Sequence, residues 1–231
     1  MISHKYKFIF IHIPRTSGSS IEEGFGYRKD SKGRKIFNGH QDHRTIKNII
    51  PFNISNFLDY KTRSKNLVKR FNPINYNINK AKYAIVNQKQ FNLYFKFTII
   101  RNPFSRVYSW YNACINGEKM HFKALGVPQD ISFNDFIYKF AGHGNLKTQM
   151  DYIVDYNEKI PFDFIGRFED LDLVHRTLRA NIYKNVKFDL VAAVNNKKVN
   201  PLQYRKFYNS DSRKFVEDFY SEELNYFNYD F

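Results

Sequence analysis

From Lys7 to Ile13 the chain is almost continuously apolar, with Phe8-Ile9-Phe10-Ile11 at its centre and no polar face. An unbroken β-branched and aromatic run of that length predicts a buried strand. Pro14-Arg15-Thr16-Ser17-Gly18-Ser19-Ser20 interrupts it, and Ile21-Glu22-Glu23-Gly24-Phe25 can begin a helix. The same succession recurs later. Phe95-Lys96-Phe97-Thr98-Ile99-Ile100 predicts a second strand, which ends at Arg101-Asn102-Pro103. Pro103 suits a first helical turn, and Phe104, Val107, Tyr108 and Tyr111 follow at helical spacing. Residues 161–168 predict a third strand, with Leu171, Val174 and Leu178 on one face of the helix behind it. Near the end, Ser210 is positioned to cap a helix that turns Phe215, Phe219 and Tyr220 inward. Residues 118–148, with scattered Gly, Pro and Asn, read as loops around short elements; 27–94, polar and rich in Asn and Lys, carries no pattern that assigns an element. Strands alternating with helices predict an α/β layer fold with parallel pairing.

Composition narrows the class. The 231 residues, 42% hydrophobic and 18% aromatic, can supply the core of one domain, which argues against a disordered chain despite a mean hydropathy of −0.59. Thirty-seven Lys and Arg against twenty-two Asp and Glu give a net charge of +15. That field suits an anionic partner (nucleic acid, membrane surface, nucleotide or acidic glycan) without choosing among them, and a genome-wide compositional bias produces the same excess. No apolar run approaches the ~18–20 residues of a membrane span, and the first residues lack a signal-peptide pattern. The expectation is a soluble, cytoplasmic, basic protein. Cys114 is the one cysteine, which excludes an internal disulfide or a multi-cysteine metal site and makes a small buried residue the expected role.

The two strand-to-helix corners carry the candidate chemistry. In the first, the backbone N–H groups and the hydroxyls of Thr16, Ser17, Ser19 and Ser20 converge with Arg15, while Gly18 permits close approach of an anion. An ordinary capped corner has much the same composition. The nucleotide-triphosphatase pattern G-x-x-x-x-G-K-[ST] occurs nowhere in the chain. In the second corner, Arg101 lies at a strand's carboxyl end, where open α/β sheets bind ligands. Ser109, two turns into the helix, can share a ligand with it; the plain alternative is an exposed arginine and a solvated serine.

Together the corners resemble the carbohydrate-type sulfotransferases that use 3′-phosphoadenosine 5′-phosphosulfate (PAPS). Their first loop has the form H-I-P-K-T-x-G-[ST]-S, here His12-Ile13-Pro14-Arg15-Thr16-Ser17-Gly18-Ser19-Ser20; their second, R-N-P-x-x-R-x-x-S-x-Y, is matched from Arg101 to Tyr111. Phe164 to Leu171 and Tyr204 to Phe231 are similar as well. The resemblance implies a P-loop nucleoside-triphosphatase-like sulfotransferase fold with a central parallel sheet flanked by helices. It implies one domain over residues 1–231, with acceptor-side insertions around 38–94 and 118–150. It assigns Arg15, Thr16, Ser17, Gly18, Ser19 and Ser20 to the 5′-phosphosulfate, and Arg101 and Ser109 to the 3′-phosphate, with adenosine 3′,5′-bisphosphate as the product. Arg15 replaces the family's lysine; arginine donates hydrogen bonds to a leaving phosphate but does not readily release a proton.

The segment Gly39 to Ile49 resembles the family's catalytic histidine segment, H-x-T-x-x-x-[IL]. His43 fits its spacing best, with His40 in reserve as the base that takes the acceptor proton. Both histidines also fit a surface role and, less well, an H-x-x-H metal site with Asp42; no further ligand motif supports the metal, and the scheme requires none. His12 reads as a structural, hydrogen-bonded residue of the first strand, and Gln149 as a residue shaping the acceptor side. The implied partner is a glycan or other carbohydrate, possible acidic forms included, with no requirement for nucleic acid. Two rivals stand beside this reading. A nucleotide kinase-like enzyme lacks its loop Lys-Ser/Thr pair, and a nucleic-acid-binding basic module rests on charge and aromatic content alone.

Overall fold

The computed structural model describes residues 1–25, 45–50, 86–116, 126–128, 130–182 and 202–231. Four strands form one sheet in the order β1 (Ile2–Ser3), β2 (Phe8–Ile11), β3 (Phe95–Ile100), β4 (Phe164–Arg167). The three longer strands pair in parallel, with Phe10 opposite Phe97 and Ile99 opposite Gly166. β1, which the hydrophobic pattern does not announce, adds a two-residue antiparallel edge to β2. Among the described residues the helices are α1 (Gly18–Gly24), α2 (Gln88–Leu93), α3 (Pro103–Asn116), α4 (Phe133–Phe140), α5 (Met150–Ile153), α6 (Leu171–Ile182), α7 (Ser210–Phe219) and α8 (Ser221–Phe227).

Successive side chains of a strand leave on opposite faces, so an all-apolar β2 needs cover on both. Phe8 and Phe10 join Phe97 and Ile99 of β3 on one face, under Ile21 and Phe25 from α1 and its end and Val174 and Leu178 of α6. Ile9 and Ile11 join Ile100 on the other, under Ile46, Ile49 and the Tyr152–Ile153 end of α5. A third cluster binds α3, α4, α7 and α8 through Phe104, Trp110, Phe136, Ile137, Val216 and Leu224, with Tyr220 between the last two helices. Cys114 is fully buried there, as expected of a small apolar residue.

Several expected boundaries shift for local reasons. α1 begins at Gly18 rather than Ile21, because the Ser17 carbonyl already accepts from Ser20 and Ile21 N–H. The cap of α7 is Asn209, not Ser210: its side chain accepts from Ser212 N–H at 2.8 Å while Ser212 Oγ accepts from Asn209 N–H. With that phase, Ser212, Val216 and Tyr220 point inward at four-residue spacing, and Phe219 is left 44% exposed with its ring against Gly142. No helix among the described residues is long and apolar enough to cross a membrane.

Phe97 is fully buried, its ring 4.8 Å from that of Phe10 and 5.6 Å from that of Phe8. Phe97→Ala is expected to lower the unfolding free energy by about 3–5 kcal/mol through lost burial and a cavity at the sheet's centre, measured by urea denaturation.

Candidate functional site

Because β2 and β3 are adjacent and parallel, the loops that leave their carboxyl ends emerge side by side. The first loop is held in an unusual backbone path. Arg15 and Ser17 both have positive φ, 67° and 70°, a left-handed conformation costing about 1–2 kcal/mol per L-residue. Such strain persists only where surrounding structure enforces it, and the enforcing contacts are visible. Thr16 Oγ1 donates to the Ile13 carbonyl at 2.8 Å, and Arg106 Nε donates to the Pro14 carbonyl at 3.2 Å. Beneath the loop lies His12, buried and paired through Nδ1 with Glu22 Oε1 at 3.0 Å. The imidazole presses against Gly18 so closely that a Cβ there would fall 2.0 Å from His12 Cδ2. Gly18 is required by this contact rather than by its own backbone angles. The backbone N–H groups of Thr16, Ser17 and Gly18 have no acceptor among the described residues.

The second loop is clamped from three distant segments. Gln149, fully buried, forms a two-point pair with the backbone of Arg101: Arg101 N–H donates to Gln149 Oε1 and Gln149 Nε2 donates to the Arg101 carbonyl, both at 2.8 Å. Asn102 N–H donates to Glu169 Oε1 at 2.8 Å, and Asn102 Nδ2 to the carbonyl of Asp230 at 2.6 Å. Arg101, half-buried, sets its guanidinium over the Phe168 ring, 4.0 Å from the ring centre, donates through Nε to Ser105 Oγ at 2.9 Å, and donates through Nη1 to the Arg15 carbonyl at 3.1 Å. Its remaining N–H groups have no hydrogen-bond acceptor among the described residues. Burial pulls its pKa down to about 10; Glu169 opposes that, while the neighbouring cations Arg15 and Arg106 add to it. A cation that is both desolvated and crowded by like charge is poised to gain from an incoming anion.

Arg15 completes the link between the loops: its Nε donates to Ser109 Oγ at 3.1 Å, across 94 residues of sequence, and its guanidinium stands 6.0 Å from the centre of the Trp110 ring. The structure thus brings together Arg15, Arg101 and Ser109, with Ser17 on the same loop as Arg15 and Gly18, Ser19 and Ser20 on the first turn of α1, the two serines half-buried. Thr16 differs from expectation. It is fully buried and its hydroxyl is spent on Ile13, so only its backbone N–H faces the site. Gln149, expected on the acceptor side, spends its amide on the Arg101 backbone instead. His40 and His43 lie outside the described residues.

Three residues that motif reading did not single out as supports hold this geometry. Arg106, inside the second motif, is fully buried and donates to three backbone carbonyls, those of Pro14, Asn145 and Lys147. It is a brace, not a ligand. Glu169 lies in the segment that resembles the family, so a signal was present there without its role. Glu223, on α8, is 1% exposed and accepts the N–H of Gln149; nothing in its local sequence marks it. Burial pushes the Glu223 carboxyl up to about 7, against the opposing pull of Arg106 and of the Gln149 and Met150 N–H donors.

The fold and site define an α/β protein with a cationic cluster of hydrogen-bond donors where two strand-to-helix loops meet. The sulfotransferase family model matches residues 1–230, and the chain belongs to that family. It is a sulfotransferase, an enzyme that moves a sulfuryl group to an acceptor. No curated protein and no solved structure matches the chain significantly.

Gly18→Ala is expected to displace either the loop or His12, lowering both stability and anion affinity; the double variant Gly18→Ala/His12→Ala recovers part of the affinity because the clashing ring is gone. Calorimetry with matched thermal melts checks both. Glu223 provides a pH signature. A carboxyl whose folded pKa is raised from 4.5 to about 7 contributes stability that is complete below its unfolded value and is lost as pH rises through 7. Glu223→Gln is expected to remove a pH-dependent fall of up to about 3 kcal/mol from the unfolding free energy, read by denaturation across that range.

Proposed function

We propose that the enzyme transfers the sulfuryl group of PAPS to a hydroxyl of a carbohydrate acceptor by in-line displacement. The observation that carries this reading is the direct contact of the two motif loops. Arg15 Nε donates to Ser109 Oγ and Arg101 Nη1 donates to the Arg15 carbonyl, so groups suited to two separate phosphates lie in one cleft. The donor set fits a bisphosphate: guanidinium groups, a serine hydroxyl and backbone N–H groups without an acceptor among the described residues, all donors to oxyanions. PAPS, when bound, supplies an activated sulfuryl group with adenosine 3′,5′-bisphosphate as the leaving group.

In this reading Arg101 and Ser109 hold the 3′-phosphate. Arg15, the backbone of residues 16–18, and Ser17, Ser19 and Ser20 hold the 5′-phosphosulfate. Arg15 stabilises negative charge developing on the departing phosphate by hydrogen bonding, without donating a proton. His43 removes the acceptor proton, with His40 as the alternative base. The carbohydrate acceptor follows from the form of both loops, which is that of the carbohydrate-type enzymes, and the lysines of 38–94 and 118–150 suit an acidic glycan. Those two stretches are the acceptor side of a single domain spanning residues 1–231.

Isothermal calorimetry tests the donor assignment. Adenosine 3′,5′-bisphosphate is expected to bind more tightly than ATP or adenosine 5′-phosphate, and Arg101→Ala and Ser109→Ala are each expected to weaken it, by about tenfold or more for the arginine. Equal binding of all three nucleotides by a folded sample would remove PAPS as the donor.

A further inference from the structure

The buried carboxyl of Glu223 has no role in the transfer scheme, yet it stands one residue behind the anion site. Its Oε2 accepts the backbone N–H of Gln149, and its Oε1 lies 3.4 Å from Gln149 Nε2, the atom that donates to the Arg101 carbonyl. The other end of that amide, Oε1, accepts the Arg101 N–H. An unbroken chain of hydrogen bonds therefore runs from α8 through a fully buried glutamine to the peptide that carries the site's arginine. Gln149 can fill this role in only one amide orientation, because Nε2 must face a carbonyl and Oε1 an N–H. A carboxylate beside Nε2, which can only accept, favours that orientation, whereas an N–H donor there would oppose it.

We propose that Glu223 is a positioning residue for anion binding: through Gln149 it sets the peptide of Arg101 and hence the direction in which its guanidinium is presented. The inference rests on the cofactor reading only for the identity of the anion. The ionised carboxylate is the competent form, since a protonated Glu223 surrenders an acceptor that Gln149 needs. Among the described residues the ionisable groups that face it are Arg106 from α3, and Tyr220 and Tyr229 flanking α8. Arg106 is the one cation among them and favours ionisation. Burial opposes it strongly enough that the proton is exchanged near neutrality.

Two measurements test this. In calorimetry with adenosine 3′,5′-bisphosphate, Glu223→Gln and Gln149→Met are each expected to weaken binding by about tenfold, and the double variant is expected to be little weaker than Gln149→Met alone, because the positioning effect of Glu223 on Arg101 runs through the Gln149 amide. Wild-type affinity should also gain more than that of Glu223→Gln as pH rises from 6 to 8, a comparison in which ionisation of the ligand's own phosphates cancels. Independent, multiplying losses in the double variant, or a wild-type affinity that falls relative to Glu223→Gln over that range, would overturn the proposal. The second measurement needs no ligand. The Arg101 backbone N–H resonance of the free, folded protein should titrate near pH 7 in the wild type and stay flat in Glu223→Gln. If the wild type binds no bisphosphate, the donor assignment fails, and this titration still decides the role of Glu223: an Arg101 resonance indifferent to the carboxyl refutes it.

Discussion

Three arginines at the carboxyl ends of two neighbouring strands, held together against their mutual repulsion, are the constraint on which the rest of this structure depends. Arg106 is satisfied entirely by carbonyl oxygens and stitches the first loop to residues 145 and 147. Arg101 is packed on Phe168 and anchored to the Arg15 carbonyl. Arg15 reaches Ser109. None of these contacts neutralises the charge of the cleft. Desolvated cations crowded by like charge are costly even with the carboxylates of Glu169 and Glu223 nearby, and an incoming anion would relieve that cost.

What balances that cost is an unusually well-braced backbone. Arg101 and Asn102 are gripped by Gln149 before α5, by Glu169 after β4 and by the carbonyl of Asp230 near the chain's end. Tyr229 in turn donates to Glu169 at 2.8 Å, and Arg167 covers the Tyr229 ring at 4.6 Å. The first loop is fixed by Thr16, Arg106 and the His12–Glu22 pair beneath Gly18. Rigid placement of donors before a ligand arrives is what electrostatic stabilisation of a charge-separating transition state requires, and under the proposed function the bracing supplies it.

The strands and their following helices were legible because each obeys a local rule. Continuous apolar runs gave away β2 and β3, Pro103 marked the start of α3, and Val174 and Leu178 marked the buried face of α6. The motif loops were legible as compositions. Phase and partnership were less so. Asn209 rather than Ser210 caps α7 because a reciprocal bond with Ser212 outweighs a lone cap, and Phe219 is exposed because the face carrying Ser212, Val216 and Tyr220 is the one that packs inward. β1 escaped notice because two residues carry no periodicity.

By itself the sequence determined the α/β alternation, the two anion-friendly corners and, through their residue types, the family. These are properties of short contiguous stretches, where period, turn chemistry and charge are written side by side. Only the tertiary structure decided which of those residues face the cleft. It turned Thr16 into a turn lock and Arg106 into a brace, and it brought Gln149 and Glu223 behind Arg101, 48 residues from one and 74 between the pair. A buried polar group takes whatever partner the packed layers bring within hydrogen-bonding distance, and sequence separation carries no record of that encounter.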